Sequence, residues 1–421
     1  MSFFSYIFAK KKIFTIDLMS KNNNPKTAII GGGAAGFFLA INLKELSPEM
    51  DVTIFERSRH PLAKVEISGG GRCNCTNSFE GIKDLKSVYP RGHRLMKRLF
   101  HGFNHQDAYE WFERHGVKLI TQSDHCVFPE VQDSHAIINM FMHEIHRHNI
   151  KLEIGKGINS LDLLGDYDYI VVTTGGTPRI EPYQWLKDLG HTIELPVPSL
   201  FSLSIADPNL NKLMGIVCEN AVVHFEGTKY REQGTLLITH WGVSGPAVLR
   251  LSSHAARYLH DVNYKSSLCV NWTGKLEAEV RQSLMEMAIS HPNKVVRGNT
   301  MFSISQRLWD YLTAKSLGNQ PSIRWCELGK KHANKLISTL VNDVLPIKGR
   351  APFKDEFVTC GGISLKDIDQ NTLESKVRPN MYFAGGVLDI DGITGGFNFQ
   401  AAWTTAYNVA TTIAKRANAN F

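Results

Sequence analysis

The sequence predicts an α/β chain in which a Rossmann-like, nucleotide-binding domain is discontinuous, with a β domain and a helical domain inserted into it. Three observations predict this. A buried strand at 27–30 runs into Gly31-Gly32-Gly33-Ala34-Ala35-Gly36 and a helix, and a second strand follows at 51–56. From residue 195 the texture changes to short alternating apolar pieces with turn residues between them, the pattern of a small β domain. Near the C-terminus Met381-Tyr382-Phe383-Ala384 returns to a buried strand that ends in glycines and precedes a helix. At 421 residues the chain is too long for one core. The reading divides it into an extension at 1–24, a first nucleotide-binding part at 25–195, a β domain at 196–255, a helical domain with a return strand at 256–345, and a second nucleotide-binding part at 346–421.

Composition narrows the class. With 43% hydrophobic and 21% charged residues the chain reads as an ordinary globular protein, and no apolar run has the roughly 18 residues of a membrane span. The net charge of +7 is dispersed, with KRLFHGFNHQ and GKKHANK as the densest basic stretches; this favours a solvated basic surface over nucleic-acid binding. Seven scattered cysteines without a CxxC pair suit a reducing cytoplasm and indicate no metal. The first 20 residues lack a basic n-region and a small-residue cleavage site, so they do not read as a signal peptide; Met19, just before the polar stretch 21–26, reads as the real start.

The elements follow in order. Residues 34–46 form the first helix, 68–77 a glycine-rich loop, 105–115 and 134–149 helices, and 125–129 a short extended piece between them. Residues 168–174 are a second buried strand that ends at Thr174-Gly175-Gly176. Helices are expected at 251–259, 276–288, 305–314, 325–341 and 399–414.

The glycine turn carries the chemistry. Gly31 permits the tight turn, Gly33 lets backbone approach a pyrophosphate, and Gly36 lets the helix pack close to the strand. The helix N-terminus, at Ala34 and Ala35, offers free N–H groups and a positive dipole end to phosphates. Glu56 lies 20 residues after Gly36, where an acid accepts hydrogen bonds from a ribose. FAD rather than NAD is indicated by two later strand-to-glycine junctions, Thr174-Gly175-Gly176 and Gly385-Gly386. After the second come Asp389, Asp391 and a helix start at Gly395-Gly396-Phe397-Asn398. A helix N-terminus there stabilises negative charge developing on the pyrimidine end of a flavin.

In Ser68-Gly69-Gly70-Gly71-Arg72-Cys73-Asn74 the glycines give an open backbone, Arg72 is placed to pair with a phosphate, and Asn74 can satisfy flavin ring atoms. Arg57 and Lys64 join the expected cofactor set. Cys73 reads as a packing thiol. Thr239–Pro246 lacks the GxSxG spacing of a nucleophile elbow, and His240 within it is a minor acid/base candidate.

GGGAAG, ISGGGRCNCTN, YPRG, VFPE, TTGG, ITHWGVSGPAVLRLS, CGGISLKDI and YFAGGVLDIDGITGGFNFQAAW together resemble the aminoacetone-oxidase-like and bile-acid-reductase-like family of FAD-dependent flavoproteins, from about residue 27 to the last helix. The resemblance implies three domains and an FAD held by Gly31, Gly33, Gly36 and Glu56 at its ADP half. It places 68–74, Gly385 and 395–400 along the ribityl and ring parts. The family's YFAGE acid is replaced by Gly386, which leaves Asp389, Asp391 or backbone for that flavin contact.

The function so implied is FAD-dependent oxidoreduction, with hydride passing between flavin N5 and a small organic substrate. The sequence leaves open an amino-ketone oxidase using O2 and a reductase of an unsaturated carbonyl using NAD(P)H as co-substrate. A different class, a non-catalytic flavin-binding or RNA-associated protein, stands behind these. No catalytic residue, substrate or oligomeric state is legible.

Overall fold

The computed structural model describes residues 24–318, 320, 322–351 and 358–419. The expected extension and the Met19 start therefore lie outside the described residues.

The nucleotide-binding lobe is built on a five-stranded parallel sheet ordered Met381–Phe383, Tyr169–Val172, Lys26–Ile30, Asp51–Glu56, Lys151–Ile154. The strands KTAII, YIVV and MYF are apolar runs without alternation, as a sheet covered on both faces requires. The C-terminal strand joins the sheet beside Tyr169–Val172, so the domain is discontinuous as expected. Helix Ala34–Leu46 is buried continuously from Ala35 to Leu43 and packs along the last helix, Phe397–Ala419. Phe38 meets Trp111 and Trp403 there, with ring centroids 4.4 and 5.1 Å away.

An antiparallel ribbon, Ile193–Ser199 with Val358–Ile363, leads out of this lobe and back. Beyond it six strands close a barrel: Val217–Phe225, Arg231–Ile238, Gly242–Ser244, Leu203–Ile205, Asp343–Arg350 and Ser267–Asn271. This corrects the expected β-domain limits of 196–255, because Ser267–Asn271 and Asp343–Arg350, both beyond residue 255, are barrel strands. Helices Glu277–Ser290, Gln306–Leu317 and Lys330–Val341 sit between those strands and share one core with the barrel through Val280, Trp309, Leu312 and Leu336. Closing the barrel removes sheet edges, and the closing partners are remote in sequence.

Local differences have local causes. The expected loop at 68–77 begins inside helix Ala63–Gly71, which kinks where Ser68, Gly69 and Gly70 leave helical geometry. The expected helix at 325–341 is a short 3-10 turn, Trp325–Glu327, and then Lys330–Val341, separated at Gly329. The 251–259 helix is two, Pro246–His254 and Ala256–Asp261. No helix among the described residues is long and apolar enough to cross a membrane.

Candidate functional site

The three glycines of the first turn act differently. Gly31 has φ +119°, and a Cβ there would fall 2.5 Å from the Thr173 carbonyl oxygen. A Cβ on Gly36 would fall 2.1 Å from the Gly31 carbonyl, so the helix rests directly on the turn. Gly33, at φ −96°, has nothing within 4 Å of a built Cβ. Its open side faces a cleft of about 670 Å³ that runs past Gly31, Ala34, Ala35, Glu56, Arg57 and Lys64 to Gly395, Gly396 and Asn398. Glu56 is pinned at the mouth: one carboxylate oxygen accepts from Gly32 N at 2.8 Å, the other from Ser58 N at 2.7 Å. Thr173, which the sequence reading passed over, lines the cleft and donates its hydroxyl toward the Ile30 and Gly31 carbonyls at 3.2 and 2.8 Å. Its place immediately before Thr174-Gly175-Gly176 was the available signal.

Farther along, two strand ends meet. Gly385, at φ +75°, donates its N–H to Thr405 Oγ1 at 2.8 Å. A Cβ on Gly386 would sit 3.3 Å from Gly176 N, so the missing acid leaves room for backbone to approach backbone. Thr174, Gly175, Gly176, Gly385 and Gly386 all line the cleft. Lys64 Nζ donates to the Gly176 carbonyl at 3.0 Å. Its stem is open to the cleft, while desolvation of the ammonium, with Arg57 beside it, holds it below the usual lysine range.

The last helix begins at this end. Gly395 and Gly396 lie in the lining just before Phe397, and Asn77 Nδ2 donates to the Gly395 carbonyl at 3.0 Å. Asn74, which lines the cleft with Ser68, Gly69 and Gly70, points its amide nitrogen at the Thr76 carbonyl and accepts from Gly396 N at 3.2 Å. Gly396 N is taken by Asn74, and the first turn of the 23-residue helix reaches the cleft at Asn398 and Phe399, whose N–H groups have no partner within the helix.

Several expected site residues are elsewhere. Arg72 does not line the cleft. Its guanidinium lies 4.3 Å over the Phe128 ring, and it donates to the Gly69 carbonyl and Gln132 Oε1. Asp389 is paired with Arg257 at 3.1 Å and does not line the cleft; Asp391 is buried against Arg91. Both carboxylates are thus taken by arginines, and the polar groups that line the cleft at this end are backbone and the side chains of Thr359, Thr394 and Asn398. Phe397 is buried against Phe79 and Tyr89, and Gly36 is a packing glycine behind the turn. His240 is exposed beside Trp241, outside the cleft lining. Cys73 and Cys75 are fully buried, with their sulfurs 3.8 Å apart. The reading missed the far wall, where Leu200, Leu249, Val358, Thr359, Ile390 and Ile393 line the cleft. Four of these come from the ribbon and the barrel lobe and carry no motif of their own.

The family described as HI0933-like protein Rossmann domain matches residues 25–412. The chain belongs to this family. It is a family of FAD-binding Rossmann proteins, so the expected relationship holds at this broader level. The residues fit the group: an unobstructed face at Gly33, a pinned acid at the mouth and helix N–H groups at the far end. A curated relative in the family's range, "Ribosomal RNA dihydrouridine synthase" of Escherichia coli, is 27% identical over 403 residues, covering 91% of this chain and 96% of that protein. The Haemophilus influenzae protein of the same name is 25% identical, covering 92% and 98%. The "3-dehydro-bile acid delta(4,6)-reductase" of Clostridium scindens is 24% identical over 412 residues, covering 93% and 99%.

Proposed function

We propose that this protein is an FAD-dependent reductase that saturates a C=C bond conjugated to a carbonyl. The observation that carries the reading is the chamber at the inner end of the cleft, where Leu200, Leu249, Val358, Ile390 and Ile393 form an apolar slot beside the glycine turn at Gly395-Gly396. Such a slot suits a flat ring stacked at the end of a dinucleotide. The names of the relatives support it. Dihydrouridine is uridine with its ring C=C saturated, and a 3-dehydro delta(4,6) steroid holds its C=C bonds in conjugation with a carbonyl. In a uracil, as at the C=C next to the steroid's carbonyl, a hydride goes to the carbon β to the carbonyl and a proton to the α carbon; the distal C=C of the dienone takes its hydride at the vinylogous δ carbon.

FAD when bound supplies the two-electron carrier, and NAD(P)H is the class of reductant that would recharge it. The chain's own part is positioning. Gly31, Gly33 and the helix at Ala34 hold the pyrophosphate, Glu56 the adenosine ribose, and Lys64 the middle of the cofactor. The N-terminus of Phe397–Ala419 stabilises negative charge at the pyrimidine end. The apolar wall excludes water and sets the ring of the substrate.

The test is anaerobic. Protein reduced by NADPH or dithionite is mixed with a uridine-containing RNA or with a 3-keto-4-ene steroid, and the flavin absorbance and product mass are followed. Reoxidation with a product two hydrogens heavier supports the reading. No reoxidation by either substrate class, followed by prompt reoxidation once O2 is admitted, would sink it in favour of an oxidase.

A further inference from the structure

The sequence treats the basic charge as dispersed, but folding gathers part of it beside the cleft. Between residues 83 and 101 stand Lys83, Lys86, Arg91, Arg94, Lys97 and Arg98 against one acid, Asp84. Arg91 is committed to Asp391, and Asp84 caps the turn at Lys86 N. The other five bases are exposed. Helix His93–Leu99 explains why: Leu95, Met96 and Leu99 face the core, which turns Arg94, Lys97 and Arg98 outward together. Arg98 donates to a neutral group, Asn371 Oδ1, at 3.0 Å.

This helix is anchored to the wall of the cleft. A Cβ on Gly92, its N-cap, would lie 2.6 Å from Ile390 Cγ1. Ile393 N donates to the Val88 carbonyl at 2.9 Å, and Arg91 bridges to Asp391 between them. Ile390 and Ile393 line the inner chamber. The seven-residue helix is about 10 Å long, so the backbone of Arg94, Lys97 and Arg98 lies within about that length of Gly92, which abuts Ile390.

We infer that the face formed by Lys83, Lys86, Arg94, Lys97 and Arg98 binds the phosphate backbone of a single-stranded RNA segment and presents one of its bases to the inner chamber. The inference rests on the proposed reduction only for the identity of that base, a uracil. Phosphate contacts of this kind position a strand without reading its sequence, and the slot selects the base. The second basic stretch, Lys330, Lys331 and Lys335, is on a helix none of whose residues lines the cleft, and it plays no part.

The experiment measures binding of a fluorescein-labelled uridine 12-mer RNA to the oxidised FAD-loaded protein by anisotropy, across a series of KCl concentrations. It needs no turnover, so it can fail or succeed independently of the proposed reaction. The triple variant Lys86→Gln, Arg94→Gln, Lys97→Gln should lower the slope of log Kd against log salt by about 2, at roughly 0.7 per phosphate contact on a single strand. Its flavin content should be unchanged, since none of these residues lines the cleft. The variant Lys330→Gln, Lys331→Gln, Lys335→Gln removes the same charge and should leave the slope as it is. Equal loss in both triples, salt-independent binding, or equally tight binding of duplex RNA or a poly-glutamate peptide would each overturn the inference.

Discussion

Arg91 and Asp391, 300 residues apart in sequence, face each other as a doubly hydrogen-bonded guanidinium–carboxylate pair in the seam between the two lobes. The Asp391 side chain is fully excluded from solvent. Ser199 donates to it at 3.1 Å, and Arg91 Nη1 reaches across to the Ser253 carbonyl at 2.9 Å. The pair therefore fastens the barrel lobe to the nucleotide lobe at the point where the cleft ends.

Removing one partner should be costly. Arg91→Ala leaves a buried carboxylate without its cation, and a loss of about 3–5 kcal/mol is expected. Urea unfolding of the FAD-loaded protein at neutral pH measures it. A loss below about 1 kcal/mol would mean that water reaches Asp391 and that the seam is looser than its geometry shows.

Gly33 and Gly36 should separate cofactor binding from folding. Gly33 has ordinary backbone angles and open space, so Gly33→Val should fold with the stability of the cofactor-free wild type yet purify colourless. Gly36→Val forces a side chain into the Gly31 carbonyl and should lose the fold as well. Circular dichroism melts and the flavin absorbance of the two variants make the comparison. The nucleotide released by wild type on denaturation should be FAD; FMN would contradict the ADP-holding role of the turn.

Acid stability should depend on Glu374. Its carboxylate takes Arg416 Nη2 at 2.6 Å and Asn380 N at 2.9 Å. The hydrogen bond from Arg416, working against desolvation, holds it below its ordinary value of 4.5. A carboxyl lowered in the folded state contributes stability that is complete above the unfolded value and fades as pH falls through the folded one. Glu374→Gln should thus be less stable than wild type at pH 7, with the difference shrinking below pH 4.5. A difference constant from pH 7 to pH 3 would assign the effect to lost packing instead.

A nicotinamide should share the substrate's space. The sequence holds one glycine turn of dinucleotide type with an acid in register, and the apolar wall proposed for the substrate lines the same cleft as that turn. NAD(P)H and the substrate are then expected to bind in turn, giving parallel double-reciprocal lines and mutual competition. Intersecting lines would place the nicotinamide in a separate site.

The glycine turn, Glu56 and the two later strand ends were legible because each is a local pattern: a strand, a turn that only glycine permits, and a helix within a few residues. Arg72 and Asp389 were misread because a long charged side chain takes whatever partner the fold supplies. Arg72 found the Phe128 ring, and Asp389 found Arg257 from the inserted lobe. The barrel limits failed for a related reason. Ser267–Asn271 pairs with Asp343–Arg350 across three helices, and nothing local in either strand announces that partner. The apolar wall at Leu200 and Leu249 was illegible because an ordinary leucine becomes a site residue only by where the lobes meet.

Ser199 and Val358 are register partners on the ribbon that joins the lobes. Partners across an antiparallel pair stand about 5 Å apart, so everything between them enters and leaves the nucleotide fold through one narrow doorway. The barrel and its helices are in this sense a cassette. Exchanging that cassette at the doorway would change two apolar residues of the cleft wall, Leu200 and Leu249, while the glycine turn at Gly31–Gly36 stays untouched. The wall of the cleft can therefore be altered by one contiguous replacement that leaves the nucleotide fold's own strands and turns in place.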